Sequence, residues 1–255
     1  MGNMNKENPS VAIIMPAYNS ENTIRKAIDS VVLQTYKNWV LYVIDDKSTD
    51  DTLDVISEYS SYENIKIIKK VTNGGAALAR NLGLEKSIED IICFLDSDDV
   101  WHSRKLELQV KEITKGARFV ISAYNYISDG KVKVNYSKAN LTKDDFIKKK
   151  YRVCFSSVCF VNEEKKRKFE ALGHEDFIFL VDLFDSYNSC IVLPEVLVDY
   201  YAQNGSLSSN KIVASKWHFL ALSFMFTNKV KVIYLFLFYV INSFKFMRLV
   251  RKNNA

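Results

Sequence analysis

Apolar runs and polar breaks alternate regularly along the first hundred residues. Val11 to Met15 is an unbroken apolar run stopped by Pro16, and it reads as a buried strand. Ile24, Ala27, Ile28, Val31 and Val32 recur at helical spacing behind Ser20, a candidate N-cap. Val40 to Ile44, Ile65 to Ile68 and Ile91 to Leu95 repeat the strand pattern. Helices are expected at about 51–59, 76–86 and 104–115, with Asn73-Gly74-Gly75 as a turn. Strands alternating with helices of this length imply βαβ units and a parallel sheet.

Past Phe119 the pattern changes. Phe119 to Tyr126 and Lys131 to Tyr136 flank Asp129-Gly130, a hairpin signal. Shorter strands are expected near Val153 to Val161 and Cys190 to Tyr201, around a helix from about Asp176 to Ser186. The fold class is α/β: a Rossmann-like, mostly parallel sheet with a mixed C-terminal half and a helical tail.

The tail stands apart by its charge. From Lys211 onward there are eight Lys or Arg and no acidic residue, so the preceding 210 residues carry 27 basic groups against 30 acidic ones. That balance argues against a nucleic-acid-binding body and points the tail at an anionic membrane surface. Val232 to Ile241 is ten apolar residues long, 13 if extended to Phe244, with lysine and arginine on both sides. A membrane span needs about 20. The expectation is a helix lying in the interface, with Trp217 to Phe226 as a companion; the alternative is a helix packed on the core or forming a dimer contact. Residues 1–210 then form one domain, divided at about 9–101 and 102–210, and 211–255 the membrane-associating tail. The first eight residues lack the apolar stretch of a secretory signal. Cys93, Cys154, Cys159 and Cys190 show no metal-site spacing and sit in apolar surroundings, which suits free thiols in a reducing compartment. The expected location is the cytoplasmic face of the cell membrane, peripherally bound.

Chemistry gathers where the strands end. Asp96-Ser97-Asp98, with Asp99 beside it, follows an apolar strand directly. Carboxylates so crowded repel one another unless a cation sits between them, and hard oxygen donors suit Mg²⁺ or Mn²⁺ with phosphate. Helix capping would also use these residue types. Two more polar loops, Pro16-Ala17-Tyr18-Asn19 and Asp45 to Thr49, fall at the same edge, where open parallel sheets bind ligands. Tyr18 can stack on a nucleobase, and Asp45 or Asp46 can accept from the imide N–H of uracil or thymine. Asn73-Gly74-Gly75 lacks the spacing of a dinucleotide fingerprint or a P-loop. Its N–H groups and Arg80 can face a phosphate or ribose, or merely start a helix.

Taken in order, these pieces resemble the family 2 glycosyltransferases of the GT-A fold, of the bacterial surface-polysaccharide type. The matching stretches are Met15-Pro16-Ala17-Tyr18-Asn19, Ser30 to Tyr36, Asp45-Asp46-x-Ser48-Thr49-Asp50, Ala79-Arg80-Asn81-Leu82-Gly83 and Leu95 to Trp101. The resemblance implies an inverting, metal-dependent transferase that uses a nucleotide-sugar, commonly a UDP-sugar, with Mn²⁺ or Mg²⁺ on the diphosphate. It implies that Tyr18 stacks on the base, that Asp46 hydrogen-bonds it, and that Asp98 is a metal ligand. Asp96 then approaches the ribose or the metal, and Pro16, Ala17, Asp45, Arg80 and Ser97 complete the nucleotide-sugar contacts. By the same resemblance Asp176 is the base that takes the acceptor's proton, with Glu175 its neighbour. His174 reads as a loop residue, and His102 and His218 as structural or solvent-facing. The chain departs from the family at Tyr201 and Gln203, where Arg and His are common, so a C-terminal metal ligand is in doubt.

With a membrane-directed tail, the acceptor implied is a lipid-linked, polyprenyl-diphosphate saccharide of O-antigen or capsule synthesis. Alternatives are a polyprenyl-phosphate sugar transferase or a sugar nucleotidyltransferase. The latter needs a basic, Gly-rich loop after the first strand, and Pro16 to Asn19 is neither. A response receiver would be about half this length.

Overall fold

The computed structural model describes residues 7–128, 131–135, 140–163, 167–202 and 211–252. The parallel half is built as the sequence pattern predicts. β1 (Val11–Ala17), β2 (Trp39–Asp45), β3 (Ile65–Lys69) and β4 (Ile91–Phe94) lie in the order β3-β2-β1-β4, all parallel. Helices α1 (Ile24–Val32), α2 (Thr52–Ser57) and α3 (Gly75–Lys86) make the crossovers.

β1 shows why this run is apolar throughout. Val11, Ile13, Met15 and Ala17 enter one core with Ile28 and Val31 of α1, while Ala12 and Ile14 enter a second core on the opposite face. Both faces are covered, so alternation is lost. On the second face α3 presses close, and a Cβ on Gly83 would come within 2.5 Å of Ile14 Cγ2.

Pro16 does not stop β1, which runs on beside β2 to Ala17. The Ile14 carbonyl accepts from Leu95 N–H, so residue 16 faces the same side, beyond the last β1–β4 partner. No ladder bond is lost there. Ser20 is not the cap of α1; its carbonyl starts a turn by accepting from Thr23 and Ile24, and Thr23 takes the N-cap position.

The mixed half continues the same sheet. After β5 (Val100–Trp101) and α4 (Lys105–Thr114) come β6 (Phe119–Ser128) and β7 (Lys131–Asn135), paired antiparallel; the Asp129-Gly130 turn lies outside the described residues. β8 (Asn140–Leu141) and α5 (Lys143–Ile147) were not foreseen. The strand expected from Val153 is shorter: a 3-10 turn at Phe155–Ser157 precedes β9 (Cys159–Val161). That turn brings the Ser156 hydroxyl to the acidic loop and its carbonyl to the Trp101 indole. α6 (Glu175–Tyr187) and β10 (Cys190–Tyr201) follow, and the full order is β3-β2-β1-β4-β9-β6-β10-β5. The sheet is continuous across both halves. This is the α/β sheet with a parallel first half and a mixed second half expected from the sequence.

The tail is two helices, α7 (Lys211–Met225) and α8 (Lys229–Lys252), the second far longer than its apolar run. Ala221, Leu222, Val232 and Leu235 are buried in the second core with α6, and Tyr239 is buried as well. Phe224, Ile233, Leu237, Ile241 and Phe244 are exposed. No helix of the described residues is long and apolar enough to cross a membrane.

Candidate active site

The C-terminal ends of β1, β2 and β4 open into a cleft of about 610 Å³. Pro16, Ala17 and Tyr18 line one side; Asp46, Arg80 and the acidic loop Asp96, Ser97 and Asp98 line the rest. Of the sequence-derived nucleotide-sugar residues, all but Asp45 face this space. Tyr18 is half exposed, leaving its ring available for stacking. Asp45 is buried and accepts from Ser48 N–H at 3.3 Å, which fixes the turn beneath the cleft.

Asp46 is heavily engaged. Its carboxylate accepts from Gly74 N–H at 3.0 Å and Gly75 N–H at 2.6 Å, and it is ion-paired with Lys70. Asn73 donates to its carbonyl at 3.0 Å. The Asn73-Gly74-Gly75 turn therefore orients Asp46, with the N-terminus of α3 behind it.

The acidic loop divides its charges. Asp99 turns inward and is almost fully buried, accepting from Ser156 Oγ at 2.5 Å and Tyr201 N–H at 3.2 Å. Burial, reinforced by Asp96 and Asp98, pushes its carboxyl well above the usual range. Asp96 and Asp98 face the cleft. Burial and the Asp96 charge push Asp98 up to about 6. A divalent cation relieves that repulsion, so this pair of hard oxygen donors suits Mg²⁺ or Mn²⁺. Among the described residues no three or more His, Cys, Asp or Glu stand together so as to hold a metal ion by themselves. Gln203 lies outside the described residues.

Arg80 ties the parts together. Its guanidinium donates to Asp96 at 2.6 Å, stands 3.7 Å from Glu175, and lies over the Phe155 and Phe169 rings. Burial opposes its charge, but Asp96, Glu175 and Asp176 more than offset that and raise its pKa.

A second pocket, of about 250 Å³, adjoins the first, and Asp96 lines both. Asp176 lies on its wall, bonded to His174 Nδ1 at 3.1 Å. Burial would raise the Asp176 pKa; the His174 hydrogen bond and charge, with Arg80 and Phe177 N–H, instead hold it well below the usual range. His218 is fully buried, not solvent-facing. Its ring lies 5.1 Å from that of His174 and stacks on Tyr239 at 4.0 Å.

Two supporting residues escape a reading of the sequence. Ser156 accepts from Asp96 N–H at 3.1 Å while donating to Asp99, so one hydroxyl holds both ends of the acidic turn. Asn81 clamps the backbone of Phe169 from both sides, at 3.0 and 2.6 Å. Asn81 sits in the Ala79-Arg80-Asn81 stretch, the one signal that pointed to it.

Residues 12–170 match the family model for glycosyl transferase family 2. The chain belongs to that family. It is 33% identical over 238 residues to the UDP-Glc:alpha-D-GlcNAc-diphosphoundecaprenol beta-1,3-glucosyltransferase WfgD of Escherichia coli, covering 92% of this chain and 94% of WfgD. In fold it is similar to the Staphylococcus aureus TarS fragment 1–349 in complex with UDP-GlcNAc, with a TM-score of 0.69 at 20% identity, over 84% of this chain and 64% of TarS 1–349. The mannosyltransferase PcManGT from Pyrobaculum calidifontis, in complex with GDP-Man and Mn²⁺, gives a TM-score of 0.67 at 18% identity over 86% of this chain and 65% of its own. This glycosyltransferase is thus neither the nucleotidyltransferase nor the receiver weighed from sequence.

Proposed function

We propose that this glycosyltransferase moves a sugar from a UDP-sugar to a hydroxyl of a lipid-linked, polyprenyl-diphosphate saccharide, with inversion, in bacterial surface-polysaccharide synthesis. One observation carries the reading: the donor-type cleft and the pocket holding Asp176 meet at Asp96. A sugar leaving one and a hydroxyl waiting in the other would meet at that junction.

In this reading Tyr18 stacks on uracil and the preorganised Asp46 accepts from its imide N–H. Asp96 and Asp98 would hold the Mg²⁺ or Mn²⁺, which when bound neutralises charge on the departing diphosphate. Arg80 keeps Asp96 in place and supplies fixed positive charge at the junction. Asp176, kept ionised and oriented by His174, takes the proton from the acceptor hydroxyl as it bonds to the anomeric carbon. Glu175 shares Arg80 with Asp96 and so sets the guanidinium's position.

The lipid-linked acceptor is supported by the acceptor in WfgD's name and by the tail, where exposed Ile233, Leu237, Ile241 and Phe244 accompany Lys229, Lys231, Lys245 and Arg248. Residues 1–210 carry the proposed catalytic groups, and α7 with α8, packed against α6, would attach them to the cytoplasmic face of the membrane.

The test is transfer from a panel of UDP-sugars to short-chain lipid-diphosphate N-acetylglucosamine. Product of inverted anomeric configuration by NMR is expected. Release of UDP without acceptor-dependent product would contradict the reading. Flotation with anionic but not neutral vesicles is expected for the full chain; equal recovery with both would count against the membrane role.

A further inference from the structure

The pocket beside the cleft carries positive charge that proton transfer does not use. Lys149 and Arg152 both line it, among the rings of Tyr124, Tyr126 and Tyr200. No carboxylate of the described residues pairs with Arg152; its electrostatic neighbours are phenols, and burial lowers its pKa. A cation held this way gains from an anionic ligand that replaces lost water.

Both cations are built in by α8. The Arg152 guanidinium lies 3.8 Å over the Phe246 ring, and Lys149 Nζ lies 4.7 Å over Tyr239. Just before them, Asn242 donates to the Lys148 carbonyl at 2.8 Å, and Lys148 stacks on Tyr234 and Phe238. Lys149 itself has φ +50°, the left-handed position of the turn that ends α5, where Lys150 N–H donates to the Asp145 carbonyl and Lys149 N–H to the Phe146 carbonyl. α8, whose rings carry the two cations, also presents the exposed stripe Ile233, Leu237, Ile241 and Phe244.

We propose that Lys149 and Arg152 bind the phosphate groups of the acceptor, the diphosphate that joins its sugar to the lipid. The assignment rests on the acceptor reading above and adds the residues that select for it. The acceptor hydroxyl meets Asp176 while its anionic linker is held by the two cations, and the chain beyond the linker meets the apolar stripe of α8.

The test is calorimetric binding of a short isoprenyl diphosphate to the full chain saturated with UDP, so that the donor cleft is filled. Binding is expected, with the matching isoprenyl alcohol binding at least tenfold more weakly. Arg152→Gln and Lys149→Asn should each weaken the diphosphate by about tenfold, the cost of one charge-assisted contact, and leave UDP affinity unchanged. Asparagine tolerates the left-handed conformation at 149, and unchanged UDP affinity certifies folding. If UDP binds but the diphosphate does not, or displaces UDP, or binds both variants as tightly as the wild type, the assignment is overturned and the donor reading stands. If neither ligand binds, both fall.

Discussion

The indole of Trp217 lies against the backbone of Gly173, so close that a Cβ there would come within 2.9 Å of the ring. Gly173 and His174 are consecutive left-handed residues, at φ +68° and +61°, and they turn the chain into α6 just before Asp176. Trp217 and His218 of α7 therefore press on the turn that presents the proposed base. The tail is part of the site as well as a surface element.

Gly173→Ala should cost about 1–3 kcal/mol of stability and reduce kcat, because both the conformation and the space are denied. Truncation at Asn210 should abolish transfer even to water-soluble acceptor analogues. Urea unfolding and turnover check the first; activity on a detergent-free acceptor checks the second. A tail that only tethered would leave that activity intact.

Asp98 predicts an unusual pH response. Its folded pKa of about 6 exceeds the ordinary 3.8, so between these values the folded chain keeps a proton that the unfolded chain has lost. Stability of the cation-free protein from this group is present below about pH 4 and is lost as pH rises through 6. Asp98→Asn should flatten that decline in denaturant titrations run in chelator. Mn²⁺ affinity should rise with pH up to about 6 and level off above it.

Asn81→Ala would leave both polar groups of the Phe169 backbone without their partner. A loss of about 1–3 kcal/mol is expected, with slower turnover, since Phe169 stacks on Phe179 at 4.1 Å and lies under Arg80. Thermal melts alongside kcat separate the two effects.

Asp176→Asn should lower kcat by about 10²–10⁴-fold and leave UDP affinity unchanged. Loss of UDP binding, or near-wild-type turnover, would remove Asp176 from its proposed role. Glu175→Gln should be milder, because Arg80 retains Asp96 at 2.6 Å.

The parallel half was legible because each buried strand announces itself as an apolar run, and the acidic loop because charges that follow such a run have few other uses. Pro16 misled, since nothing local says that β4 ends before reaching it. Ser156, Asn81 and Trp217 were hidden for a different reason. Each acts on residues 40 or more positions away, through a hydroxyl, an amide or a ring whose partner only the fold supplies. The burial of one face of α7 and α8 was an open alternative, because an apolar stripe beside lysines has the same pattern whether it meets protein or lipid.

The central claim is tested most directly by a crystal structure with UDP and Mn²⁺ bound. It should contain uracil between Tyr18 and Asp46, with the ion joining Asp98 to the diphosphate beside Asp96. A nucleotide bound away from this cleft, or an ion held without either aspartate, would contradict it.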